Sequence, residues 1–255
     1  MRNVPIAEVD ELDRDVVAIG TDYPPEYVLP SHRHRRAQFL YAATGLMRVE
    51  TADGSWTVPT HRAVLIPPRT EHRVIMRQVS TRSVYIEPAA VPWFPDRCHA
   101  VDVSPLLREL LLEAVDIPPL YGRRGRDGIL VELILREISR FIPLPLDLPL
   151  PSNVDLRTLC HAFLLNPSIH VSSPEWAAEL HISERTLGRM FRAETGISFA
   201  GWRERACVLH ALTLLADGMP IAHIAATIGY ESPAAFSTMF RRVLGSAPSA
   251  YRRAG

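Results

Sequence analysis

From the N-terminus to about residue 100, apolar and polar side chains alternate with a period of two. The runs Asp15 to Gly20, Gln38 to Ala43, Leu46 to Thr51, Ser55 to Val58, Ala63 to Ile66 and Arg73 to Ile86 are bounded by Gly, Pro or Asp. That pattern predicts short strands, with Asp53-Gly54 in a two-residue hairpin turn that exploits the positive φ open to glycine. From Val103 the period lengthens. Leu106, Leu107, Leu110, Leu111 and Ala114 fall on one helical stripe. After a polar break at 122–128, Ile129, Leu130, Leu133, Ile134, Ile138 and Phe141 fall on another. Such stripes either pack on the sheet or form a seam between two copies, and the pattern allows both.

Residues 143–151 read Pro-Leu-Pro-Leu-Asp-Leu-Pro-Leu-Pro. A run so stiff and poor in backbone donors suits neither a helix nor a central strand, and it is expected to be a linker over 143–152. Everything after Asn153 has helical periodicity and contains a repeat. Ser183, Leu187, Phe191 and Gly196 recur 49 positions later as Ser232, Phe236, Phe240 and Gly245. In the second copy a short apolar helix through Ile221, Ile224, Ala225 and Ile228 leads to a turn at Gly229, and Ser232 caps the next helix. This is the pattern of a helix-turn-helix. The first copy has Trp176, Ala177 and Leu180, then a turn through His181-Ile182 that lacks the glycine, then Ser183 as the cap.

The apolar positions of each second helix define its buried face. The opposite face carries Arg185, Gly188, Arg189 and Arg192 in the first copy, and Ala234, Ser237, Thr238, Arg241 and Arg242 in the second. An Arg so placed can bond bidentately to guanine or contact phosphate, so double-stranded DNA is the expected partner and the first helix the stronger reader. The connecting helix, Phe199 to about Ala216, spans roughly 27 Å at 1.5 Å per residue, comparable with the roughly 34 Å between successive major grooves. The tail Ile224-Ala225-Ala226-Thr227-Ile228-Gly229-Tyr230-Glu231-Ser232-Pro233, followed by Phe236, Phe240-Arg241, Gly245, Pro248-Ser249 and Tyr251-Arg252, resembles the DNA-binding domain of the AraC/XylS family of bacterial transcription regulators. The resemblance covers about Asn153 to Arg253. It implies base contacts from Arg185 and Arg189, and from Ala234, Ser237 and Thr238, although the last three are short for that task.

Charge adds one qualification. The chain of 255 residues has 28 basic and 28 acidic side chains, every basic one an arginine. No polycationic half exists, so any DNA-binding face must be local. The three cysteines, Cys98, Cys160 and Cys207, form no Cys-x-x-Cys pair, which points to a reducing compartment. Glu8, Asp10, Glu11, Asp13 and Asp15 stand where a signal peptide would be basic and then apolar, and no run reaches the roughly 20 apolar residues of a membrane helix. A cytoplasmic protein with no membrane partner is expected.

The strand region carries its own chemistry. In an extended segment His32, His34 and Gln38 share one face, and His72 stands at the entry of a later strand. Two histidines, a polar residue four further on, Gly45, then Pro67 and His72 resemble the two motifs of the cupin barrel. Gln38 replaces the usual Glu, and Arg69 the usual Gly. Three imidazoles with Gln38 would suit a divalent metal such as zinc, nickel or iron. Alternatively they line a metal-free pocket or join a basic surface with Arg33, Arg35 and Arg36. Tyr41, Trp56 and Tyr85 are candidates to line an effector pocket at the barrel mouth. His61 and His99 have no partner at ligand spacing.

The expected fold class is α+β. A cupin-like, effector-sensing β-barrel occupies 1–100, and a helical segment at 101–142 could dimerise the protein. The linker at 143–152 then joins an all-α DNA-binding domain with two helix-turn-helix motifs at 153–255. The function expected is a transcription regulator, a homodimer controlled by a small-molecule effector, with RNA polymerase as a further partner. The alternative is a metal-dependent cupin enzyme, a dioxygenase or isomerase, with a helical assembly tail.

Overall fold

The computed structural model describes residues 1–251, so Arg252 and Arg253 of the tail motif lie outside the described residues. The chain divides into two compact units, Met1–Ala52 with Trp56–Leu144, and Asp53–Ser55 with the chain from Pro145 onward.

The first unit is an antiparallel sheet with two helices. Its strands are β1 (Val16–Asp22), β2 (Val28–His32), β3 (Ala37–Thr51), β4 (Gly54–Pro59), β5 (Arg62–Ile66), β6 (His72–Ile86) and β7 (His99–Asp102). β1, β2 and β3 each pair with β6, and β5 pairs with β3 and β7. The two runs expected at Gln38 to Ala43 and Leu46 to Thr51 form one strand, β3, whose register against β6 shifts around Thr44. Such bulges bend a long strand so that it pairs with different neighbours along its length.

Alternation gives the sheet two unlike faces. On one, Val16, Phe39, Tyr41, Leu65, Val84 and Ile86 share a core with Leu107 and Leu111 of α1 (Pro105–Ala114) and with Leu130, Ile134 and Ile138 of α2 (Arg126–Ser139). Of the two outcomes that their stripes allow, the helices at 101–142 pack on the sheet. Their stripes are wider than the core needs, and Leu106 and Ile129 remain 50% and 64% exposed. On the other face Val17, Ile19 and Tyr85 pack with Val9 of the N-terminal segment.

That segment is held by Arg36, which is wholly buried. Its guanidinium donates to the carbonyls of Asp10, Leu12 and Arg14 at 3.0, 2.7 and 2.8 Å, with Asp10 and Glu87 carboxylates at 3.5 and 3.7 Å. The expectation that Arg36 could belong to a basic surface is therefore corrected, since its charge is neutralised and its donors are used inside the fold.

Among the described residues, the second unit contains β8 (Asp147–Pro149) and six α-helices: α3 (Val154–Leu165), α4 (Ser173–Glu179), α5 (Glu184–Thr195), α6 (Phe199–Ala216), α7 (Ile221–Ile228) and α8 (Pro233–Leu244). The proline-rich segment is not a free tether over its whole length. The units divide between Leu144 and Pro145, and Leu146 and Leu148 are buried. Trp202 Nε1 donates to the Pro149 carbonyl at 2.8 Å, and Arg205 pairs with Asp147 at 2.8 Å. The alternating leucines explain the difference from a linker, because prolines on an extended edge leave the side chains between them free to bury.

Candidate functional site

The helix-turn-helix units are built as the repeat predicts. In the first, Phe163, Trp176, Phe191, Phe199 and Trp202 form an aromatic core with ring centroids 4.9–6.2 Å apart, and Leu187 is fully buried beside them. Ser183 caps α5 by accepting from the Thr186 amide at 3.2 Å. The turn without a glycine is made by His181 at φ 54°, a conformation that histidine tolerates better than most residues. In the second unit Gly229 takes φ 96°, which favours glycine, and a Cβ there would lie 2.7 Å from the exposed His170 ring, which would have to turn aside. Ser232 caps α8 through the Ala235 amide at 3.2 Å.

With Leu187 and Phe191 turned inward, Arg185, Gly188, Arg189 and Arg192 are all exposed on α5. On α8, Ala234, Thr238, Arg241 and Arg242 are exposed and Ser237 is half-buried. Thr238 donates its hydroxyl to the Ala234 carbonyl at 3.0 Å, and Arg242 is paired with Glu204 of α6 at 2.8 Å. The two helices therefore differ in chemistry. α5 presents three long cationic donors, whereas α8 presents short side chains and one of its two arginines already has a carboxylate partner.

In the first unit, His32, His34, His72, Gln38 and Tyr85 come together. His32 and His72 are opposed in the β2–β6 ladder, with ring centroids 4.3 Å apart, and His34 lies 5.3 Å from His72 and 6.2 Å from His32. The 32–34–38 face arises without a continuous strand, since β2 ends at His32 and β3 begins at Ala37. The Gln38 amide lies 3.2 Å from His34 Nε2 at one end, and 3.1 and 3.0 Å from Ser83 Oγ and Tyr85 Oη at the other.

Each imidazole Nδ1 faces a backbone carbonyl: Pro30 for His32, Arg36 for His34 and Thr70 for His72, at 2.7–2.9 Å. A carbonyl only accepts, so in His32 and His72 Nδ1 carries the proton and Nε2 keeps its lone pair, whereas His34 stands between two acceptors, the Arg36 carbonyl at Nδ1 and Gln38 Oε1 at Nε2, and as a neutral ring donates to one of them. Burial holds His34 below the ordinary histidine value and pushes His72 down to about 4, so both rings are neutral at pH 7. His72 Nε2 is buried without a hydrogen-bond partner. Neutral rings with Nδ1 held by carbonyls are the chemistry of metal-binding histidines. Even so, among the described residues no three His, Cys, Asp or Glu side chains are grouped closely enough to hold a cation as they stand.

Tyr41 stands apart from this group. Tyr41 is on the opposite face of β3, buried under the helices, with its hydroxyl 3.0 Å from His61 Nδ1. Trp56 is buried in β4, which carries none of the imidazoles. Ser83 belongs to the group and was not anticipated, although its parity with Tyr85 in β6 is the signal that could have found it. Among the described residues no helix is long and apolar enough to cross a membrane.

A family model for an AraC-like ligand binding domain matches residues 15–123, and one for a helix-turn-helix domain matches residues 176–254. The HTH-type transcriptional regulator NimR of Escherichia coli (strain K12) is 33% identical over 236 residues, covering 91% of this chain and 84% of that protein. The arabinose operon regulatory protein of the same organism is 28% identical over 162 residues, 62% of this chain and 53% of that protein. The chain belongs to the AraC family of helix-turn-helix transcriptional regulators, with an N-terminal ligand-binding domain and a C-terminal DNA-binding domain, and is not an enzyme.

Proposed function

We propose that this regulator reads its operator chiefly through α5, using Arg185 and Arg189 on base edges and Arg192 on phosphate, while α8 contributes phosphate contacts through Arg241 and close packing through Ala234, Ser237 and Thr238. The observation that supports this reading is the contrast between three exposed arginines on α5 and a face of short side chains on α8. Arg189→Ala is expected to weaken binding to a selected duplex by about 1–3 kcal/mol, the range for a bidentate guanine contact. Affinity equal to that of the parent protein, measured at fixed salt, would remove Arg189 from that role.

The effector site in this reading is the group formed by His32, His34, His72, Gln38 and Tyr85, where His72 Nε2 is an acceptor awaiting a partner. A small molecule that donates a hydrogen bond there would satisfy it. A zinc, nickel or iron(II) ion would do so as a Lewis acid, with the three imidazoles and Gln38 drawn in as ligands. Binding in either form regulates transcription to the extent that it favours one presentation of the DNA-binding domain over another. RNA polymerase is a further partner of the same reading.

The exposed Leu106 and Ile129, on neighbouring helices, are the seam for a second copy. Ile129→Glu is expected to shift the protein from dimer to monomer in sedimentation. A parent protein that sediments only as monomer would dismiss the seam.

A further inference from the structure

Two glycines occupy helical positions in very different surroundings. In α2, a Cβ on Gly128 would come within 2.0 Å of the Arg123 carbonyl oxygen, so the fold itself requires glycine there. In α5, a Cβ on Gly188 would meet nothing within 4 Å. Gly188 lies inside a helix, where glycine is among the least favoured residues, and no internal contact calls for it. Alanine would favour the helix and would touch no neighbour in the protein. Nothing within the chain accounts for the missing side chain.

Helical geometry says where a partner outside the chain would lie. At 3.6 residues per turn Gly188 is roughly 60° round the helix from Arg185, on the side leading to buried Phe191. It thus lies on the flank of the arginine face. A helix with its side chains is about 10–12 Å across, and the major groove is about 12 Å wide, so a reading helix meets base edges with its outer side and the sugar–phosphate walls with its flanks. One side chain on a flank decides how deeply the helix can seat. The corresponding position of α8 is Ser237, again small.

We propose that Gly188 is a close-approach site for one sugar–phosphate strand of the operator, and that its bare backbone sets the depth at which Arg185 and Arg189 reach the bases. This rests on the reading of α5 as the principal base reader. The substitution series Gly188→Ala and Gly188→Met, made in the full-length protein, separates binding from folding because both residues favour helices more than glycine does.

The probe is the tightest duplex that the parent protein enriches from a random-sequence library, with Arg189→Ala alongside. Both Gly188 variants are expected to melt at or above the parent temperature. Affinity for the probe should fall about tenfold for Ala and about a hundredfold for Met, the scale of overpacking a close contact. Gly188→Met binding within about threefold of the parent would overturn the proposal, and if Arg189→Ala still loses affinity the reading of α5 stands without it. Normal binding by both Gly188→Met and Arg189→Ala would remove the reading as well, as would failure to enrich any duplex. A lower melting temperature in both Gly188 variants would also overturn it, by giving the glycine a role in the fold.

Discussion

His72 is a buried ring with one nitrogen held by the Thr70 carbonyl and the other without a partner. Burial lowers its affinity for a proton from the ordinary 6.5 to about 4, and His34 shifts in the same direction for the same reason. The unfolded chain therefore binds these protons more readily than the native one. Stability is fully present above about pH 6.5 and is lost as pH falls toward 4, with His72 alone accounting for about 2 kcal/mol of that loss by pH 5. In thermal unfolding of chelator-treated protein, the melting temperature should drop between pH 7 and pH 5, and His72→Phe should flatten the drop. Equal slopes in parent and variant would show that the ring titrates normally. Added zinc or nickel discriminates the two forms of the site: a rise in the melting temperature of the parent at pH 7 and not of His72→Phe would assign a metal to the imidazoles, and no rise, or an equal rise in both, would leave the group to a hydrogen-bonding small molecule.

At the scale of elements, the least regular part of the first unit is anchored by its most buried charge. Residues 9–15 form no strand, yet three of their carbonyls are bonded to Arg36. Arg36→Met would leave the Arg14 carbonyl without its donor, reduce the Asp10 and Leu12 carbonyls to Arg35 and the Arg14 amide, and leave Arg35 as the cation beside Asp10, a loss of about 3–5 kcal/mol for breaking a buried charged network. Amide hydrogen exchange should then quicken across 9–15 while β3 and β6 stay protected, and unchanged protection at 9–15 would show that the apolar packing of Val9 is sufficient. The latch was illegible in the sequence because backbone acceptors leave no residue signature. The same holds for β2, whose Pro30 and Ser31 interrupt alternation, and for β7, too short to show a period. What was legible shared a physical reason: a wrong residue would have cost burial or a cap. The helices of the repeat, with their Ser caps and inward aromatics, follow the expected positions, and His32, His34 and Gln38 share a face as parity suggests, although the chain between them is no strand, while His72 joins them as the resemblance to the second cupin motif implies. Tyr41 was misplaced because an aromatic in a strand fits either face equally well. The opposite parity of Tyr41 to Gln38 was the available clue.

For the molecule as a whole, the proline-rich stretch makes a boundary that does not coincide with its own ends. The domain was expected to begin at residue 153, yet 145–151 is integral to the second unit. Trp202 is fully buried and its indole N–H is bonded to the Pro149 carbonyl, Arg157 Nε donates to the Pro151 carbonyl at 2.6 Å, and Arg205 pairs with Asp147. A fragment beginning at Asn153 loses all three partners and the burial of Leu146 and Leu148. A fragment beginning at Pro145 keeps the three partners. Losing a partner for a buried donor costs about 1–3 kcal/mol, and one kcal/mol moves the melting temperature of a domain of this size by roughly 4–8 °C. The longer fragment should therefore melt at least about 5 °C above the shorter one, as followed by circular dichroism. Coincident melting curves would mean that the segment is tethering chain after all, and the contacts at Trp202 and Arg205 would then contribute nothing to the stability of the DNA-binding domain.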